Sequence, residues 1–76
     1  MWRSTYVPWL ERGLTAARTL GRRADEASLL SNLGAAYTDL GRPGEAQEFL
    51  EHALEIARQV ESRSTEAAVL TNLGVL

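Results

Sequence analysis

The stretch ASLLSNLGAAYTDLGRPGEAQEFLEHALEIAR, residues 27–58, decides the fold. Its apolar residues recur at the three- and four-residue spacing of an α-helix, first over 30–40 and again from Ala46, in a pattern that continues past the stretch to Val60. Gly41 and Pro43 interrupt the pattern between the two runs. Glycine suits the position just after a helix, and proline suits the first helical position, where its missing N–H is not needed. The stretch therefore predicts two helices joined by a tight turn.

The same pattern occurs more than once along the chain. Residues 9–36 align without a gap on residues 49–76, at an offset of 40, and 12 of the 28 aligned pairs are identical. The segment ASLLSNLG from Ala27 lies over AAVLTNLG from Ala67, and WLERGLTAAR from Trp9 lies over FLEHALEIAR from Phe49. Internal similarity of this kind indicates a duplicated structural unit.

Extended over the whole chain, the helical pattern predicts an all-α domain that spans residues 1–76. Gly21 ends the first helix as Gly41 ends the second, Ser64 is the expected N-cap of the last helix, and Ser4 or Thr5 is the expected N-cap of the first. No strand pattern competes. The predicted helices cover about 5–20, 25–40, 43–61 and 65–76.

Composition limits the classes of function. The 76 residues suffice for one small domain, and the net charge of −2 makes no electrostatic case for nucleic acid or a membrane surface. There is no cysteine for disulfides or thiolate metal sites, and no apolar run of transmembrane length. A cytoplasmic location is the default expectation.

Residues 27–58 resemble a tetratricopeptide repeat. The resemblance implies a right-handed superhelix of antiparallel helices, about four in this chain, that binds other proteins. In each unit a first-type helix carries a large apolar residue, Leu-Gly and an aromatic, and a second-type helix carries small and bulky residues in alternation. The matching residues here are Leu30, Leu33, Gly34 and Tyr37 in the first-type helix, and Ala46, Leu50 and Ala53 in the second-type helix.

The offset of 40 differs from the usual period of about 34. It is similar to that of a longer subclass, found in kinesin light chains, in Pins-like polarity adaptors and in bacterial regulatory arrays. Arg58 stands where the family often has a proline that ends the repeat. This departure fits a longer second-type helix.

The phase of the alignment gives an incomplete array. Residues 5–20 correspond to a second-type helix, 25–61 form one complete hairpin, and 65–76 correspond to a first-type helix. Two interpretations follow. The residues are part of a longer array, or the unpaired first and last helices complete each other between chains in a homo-oligomer.

The resemblance implies a concave groove lined by first-type helices, and it makes the chain an interaction module for a peptide or partner helix. The alternatives are a self-assembly module and a regulatory or sensor array of a larger bacterial signalling protein. The implied groove residues are Ser28, Ser31, Asn32, Ala35, Thr38 and Asp39, followed by Ala68, Thr71, Asn72 and Val75.

Asn32 and Asn72 recur one repeat apart and form a possible ladder. A side-chain amide offers both donors and an acceptor, so it can pair with an extended peptide backbone. In related adaptors an Asn at this place contacts peptide. The alternative is a packing role, in which each Asn bonds its own neighbours. A clamp for C-terminal carboxylates is not expected, because the basic residues that accompany it in the family are missing here.

No residue pattern points to chemistry. His52 is the single histidine, without cysteine or a pair of carboxylates at metal-ligand spacing. We therefore predict no enzyme, cofactor or metal site. Trp2 lies outside the repeat and is interpreted either as a cap on the end of the array or as a partner contact.

Overall fold

The computed structural model describes residues 6–75, with side chains for residues 7–74, and contains four α-helices in that span. No strand occurs among these residues, so the all-α prediction is confirmed. Ser4, Thr5 and Trp2, for which roles were predicted, lie outside the described residues. The helices are α1 (Tyr6–Leu20), α2 (Arg23–Asp39), α3 (Pro43–Gln59) and α4 (Arg63–Val75).

The three connections between helices share one backbone geometry. In each, a residue with positive φ follows the helix: 69° at Gly21, 76° at Gly41 and 55° at Glu61. Around Gly41, the Arg42 N–H donates to the Tyr37 carbonyl at 2.9 Å and the Gly41 N–H donates to the Thr38 carbonyl at 3.1 Å. This is the Schellman pattern that satisfies the last carbonyls of a helix. The expected role of both glycines is confirmed.

The third connection departs from the predicted boundaries. Helix α3 ends at Gln59, not 61, and α4 begins at Arg63, not 65, so Ser64 lies inside α4 and is not its N-cap. Ser62 stands before the helix, where its carbonyl accepts from the Glu66 N–H at 2.9 Å. The prediction was wrong because Glu61 takes the left-handed position without being glycine. The α2 boundary shifts in the same way, from 25 to Arg23.

The packing is built around α2. This helix packs most extensively on α3 and also contacts α1 and α4, while α4 lies on both α3 and α2. The largest fully buried side chains come from α2, α3 and α4, so the core lies where these helices meet. They are Leu30, Leu33, Leu50, Ile56 and Val69.

Helices α2 and α3 approach closely at Gly34. A Cβ atom at Gly34 would lie 2.5 Å from both Cγ and Cδ2 of Leu50, so any larger residue there would force Leu50 to move. One turn further along, the rings of Tyr37 and Phe49 meet edge to face, with centroids 5.1 Å apart. Ala46 and Ala53 are fully buried on the same face of α3. The small and bulky signature residues thus lie in the hairpin contact.

Candidate functional site

Helices α2 and α4 lie side by side and form a shallow groove, in which two depressions open. One, of about 160 Å³, is lined by small and polar side chains of α2 and of the N-terminal part of α4. The other, of about 110 Å³, lies where α2 ends. The first is lined by Ser28, Ser31, Asn32, Ser64, Thr65 and Ala68, and the second by Ala35, Thr38, Asp39 and Asn72.

The structure brings together all but one of the nine predicted groove residues for which side chains are described. Thr71 is exposed but lines neither depression, and its hydroxyl donates to the Ala67 carbonyl at 2.9 Å. The Val75 side chain lies outside the described part of the chain. The lining contains no Lys or Arg and a single carboxylate, Asp39. Short uncharged polar groups therefore dominate the chemistry of the groove.

The side-chain amide of Asn72 makes a hydrogen bond between helices α4 and α2. Its Nδ2 donates to the Oγ of Ser31 at 3.1 Å and lies 3.5 Å from the Ser31 carbonyl oxygen. Ser31 is buried, with 4% of its surface exposed. For Asn72 the geometry matches the packing alternative, with the partner on α2 instead of on its own helix.

Asn32 occupies the equivalent position on α2 but a different environment. It is exposed, and its side-chain amide has no hydrogen-bond partner among residues 7–74. Asn72 packs against α2, but among the described residues no helix occupies the corresponding position beside Asn32. The two Asn residues of the predicted ladder therefore differ: one amide is engaged and one is available.

A third depression, of about 370 Å³, opens between α1 and α2 and was not predicted from the sequence. Its floor is apolar and small, with Gly13 and Ala16 at positions where α3 carries Ala53 and Ile56. That substitution of small for large residues is the sequence signal that could have revealed it. We call it the head depression; it is lined by Gly13, Ala16, Ala17, Leu20, Arg22, Asp25, Ser28, Leu29 and Asn32.

Buried charge also went unpredicted. Glu26 is 4% exposed, and its carboxylate accepts from the Arg18 Nε at 3.1 Å and from the Arg23 Nη1 at 3.2 Å. Arg23 also donates to Gln59 on α3 at 2.6 Å. The pair Arg18–Glu26 recurs one repeat later as Arg58–Glu66, again at 3.1 Å. These ion pairs connect α1 to α2 and α3 to α4.

His52 is exposed on α3, and the described residues contain no group of three His, Cys, Asp or Glu side chains that could hold a metal ion.

Comparison with known proteins gives one family. Residues 25–76, more than half of the chain, match the family model of the tetratricopeptide repeat. No curated protein and no solved structure matches the chain. Within residues 6–75, no helix is long and apolar enough to cross a membrane.

Proposed function

Because the chain belongs to the tetratricopeptide repeat family, whose members are typically non-enzymatic protein-interaction modules, we propose that it binds a peptide or partner helix in the groove between α2 and α4. The observation that carries this proposal is the seam of two depressions along these helices. Their lining matches a ligand that offers backbone amides and carbonyls.

The lining of the groove favours an extended segment. Both depressions are lined mostly by short polar side chains, and a peptide backbone needs donors and acceptors at its edge. Asn32 supplies both from one exposed amide, and Ser28 adds a hydroxyl beside it. Asn72 and Ser31 support this surface from beneath, since they bond each other. We assign the first contact with a ligand backbone to Asn32.

The organisation of the array is part of the proposal. We place the chain in the subclass with a 40-residue period, with α1 as a second-type helix, α2 and α3 as the complete hairpin and α4 as a first-type helix. The equivalent ion pairs Arg18–Glu26 and Arg58–Glu66 support this period, as do helix starts at Arg23 and Arg63. The same groove would serve a regulatory array of a larger signalling protein.

A library of random peptides displayed on phage tests groove binding. We expect selection on the wild-type chain to enrich peptides that bind it, and Ala68→Arg to weaken their affinity at least about tenfold, because the new side chain fills the larger depression. Gln47→Arg adds the same charge on the exposed face of α3 and should leave affinity unchanged.

Two results would contradict the proposal. The first is that no peptide is enriched over a blank surface. The second is that peptides are enriched but bind Ala68→Arg as well as wild type, because the binding surface would then lie outside the groove.

A further inference from the structure

One face of α4 lacks the helix that its counterpart on α2 has. Leu30 is 1% exposed under α3, whereas its equivalent Leu70 is 47% exposed. The Leu50 side chain occupies the space beside Gly34, whereas a Cβ at the equivalent Gly74 would meet no described atom within 4 Å. We call Leu70, Thr71 and Gly74 the tail face. Leu70 and Gly74 correspond to residues of α2 that pack in the hairpin with α3, and Thr71 corresponds to Ser31, which accepts from Asn72 of α4.

At the opposite end of the chain, the head depression between α1 and α2 is an open packing position. The residues one period after the head depression are covered by α2: Ile56 is fully buried, and Asn72 donates to Ser31. Their counterparts Ala16 and Asn32 are exposed and line the head depression instead. The head depression is therefore the position at which a preceding first-type helix packs.

The chain itself carries the helices that fit both places. Helix α1 carries Leu10 at the position of Leu50 in the hairpin face of α3, and α4 shares its Leu, Asn, Leu and Gly with α2. Trp9 is equivalent to Phe49 but is 69% exposed, because no Tyr37 equivalent packs on it in the described chain. The unfilled positions at the two ends are therefore complementary in residue type.

We propose that the chain assembles head to tail with copies of itself, so that the tail face of one copy receives α1 of the next while α4 enters the head depression. Leu10 of the second copy lies on Gly74, as Leu50 lies on Gly34. Asn32 of the second copy donates to the Thr71 hydroxyl, as Asn72 donates to Ser31. Assembly therefore competes with a peptide for the Asn32 amide. This contact is heterologous and therefore propagates along a row of copies or closes into a ring. It goes beyond peptide binding in the groove.

Light scattering coupled to size exclusion, over a series of concentrations, tests the proposal on the 76-residue chain. We expect the mass to rise with concentration above the 8.4 kDa of one chain. Gly74→Gln fills the space that Leu10 of the next copy needs, and Ala16→Glu places a charge in the head depression. Both sites are exposed, so the helical circular dichroism of each variant should match that of wild type. Each variant alone should stay at the mass of one chain.

A mixture of the two variants identifies the ends. Gly74→Gln retains a working head and Ala16→Glu retains a working tail, so an equimolar mixture should form a dimer and nothing larger. Gly44→Gln makes the same substitution at another open glycine, away from both ends, and should assemble like wild type. Ala16→Ile copies Ile56 of the filled repeat and should strengthen assembly.

Three results would overturn the proposal. A wild-type mass of one chain at every concentration means that something other than a second copy, such as a further repeat, covers the tail face. Wild-type assembly by Gly74→Gln and Ala16→Glu means that copies meet elsewhere. A mixture of two monomeric variants that stays monomeric means that the contact is not head to tail.

Discussion

Helices α2 and α4 have closely similar sequences and different surroundings. Ala27, Leu30 and Gly34 of α2 are buried, and the equivalent Ala67, Leu70 and Gly74 of α4 are exposed. The difference follows from the neighbours: α2 contacts the three other helices, whereas α4 contacts only α3 and α2. A repeat signature therefore specifies the shape that a helix presents, and the adjacent helices decide whether that shape is buried.

The same contrast governs the charged residues. The side chains of Glu26 and Glu66 hold equivalent arginines at the same distance, but 6% of the first is exposed and 32% of the second. The glutamine Gln59 approaches Arg23 from α3 and closes the first cluster. No equivalent helix covers the second cluster within residues 6–75.

The largest expected effect separates Gly34 from Gly74. We expect Gly34→Leu to destabilise the fold by about 3 kcal/mol or more, because even a Cβ there would lie 2.5 Å from Leu50. A domain of this size has only about 3–5 kcal/mol of net stability, so the variant should be largely unfolded. Gly74→Leu should leave stability within about 0.5 kcal/mol of wild type. Urea denaturation followed by circular dichroism measures both, and equal losses would remove the contrast.

The next largest effect is the difference in stability loss between substitutions of the carboxylates Glu26 and Glu66. We expect Glu26→Gln to cost about 1–2 kcal/mol, because it removes a buried acceptor from Arg18 and Arg23. Glu66→Gln should cost less than about 1 kcal/mol, since an exposed ion pair is screened by water. Urea midpoints of the two variants make the comparison. If Glu66→Gln costs as much as Glu26→Gln, burial is not what distinguishes the clusters.

The third connection can be stabilised by substitution, because Glu61 stands where the first two connections have glycine. Glu61 has a φ of 55°, in the region where glycine is favoured. We expect Glu61→Gly to stabilise the fold by about 0.5–1 kcal/mol, and Gly41→Ala to destabilise it by a similar amount or more. Thermal melts followed by circular dichroism give both signs. A loss of stability in Glu61→Gly would mean that the Glu61 side chain makes a contact worth more than the backbone strain.

The smallest effect concerns how α1 packs on α2 and how α3 packs on α4. Gly13 faces Leu29, with a hypothetical Cβ 3.2 Å from Leu29 Cδ2, and the equivalent residues one repeat later are Ala53 and Val69. Each pair carries the same four side-chain carbons, divided differently across the contact. We expect Gly13→Ala and Leu29→Val together to be more stable than the sum of their separate effects by about 0.5 kcal/mol.

A double-mutant cycle in urea measures this coupling. The mirror substitutions Ala53→Gly and Val69→Leu provide the matched control, and they should couple with the same sign. Strict additivity in both cycles would show that the two volumes are independent.

Much of the fold was predictable, because its signals are local. The helical periodicity over residues 30–40 and 46–60 identifies helices α2 and α3. Gly21 and Gly41 take the left-handed conformation that their residue type favours. The ends around 61–65 were misplaced, because Glu61 does not itself favour the left-handed conformation and only its alignment with Gly21 indicates the turn. The chain belongs to the family that its signature residues resemble.

The candidate site was predictable only as a set of positions. The alignment placed Asn32 and Asn72 on the same face of equivalent helices, yet one amide bonds Ser31 and the other has no partner in the described residues. The head depression and the buried Glu26 also escaped prediction, although both left traces in the aligned residues. Each depends on which helix lies across the contact.

The sequence by itself determined the number and type of the helices, the turns between them and the interval at which the pattern repeats. These features depend on residues within a few positions of each other, through backbone conformation and helical periodicity. Only the tertiary structure decided which copy of each repeated residue is buried, which amide is engaged and which face stays open. Equivalent residues on α2 and α4 differ in burial because burial depends on whether a neighbouring helix is present. The sequence of α2 or α4 alone does not contain that information.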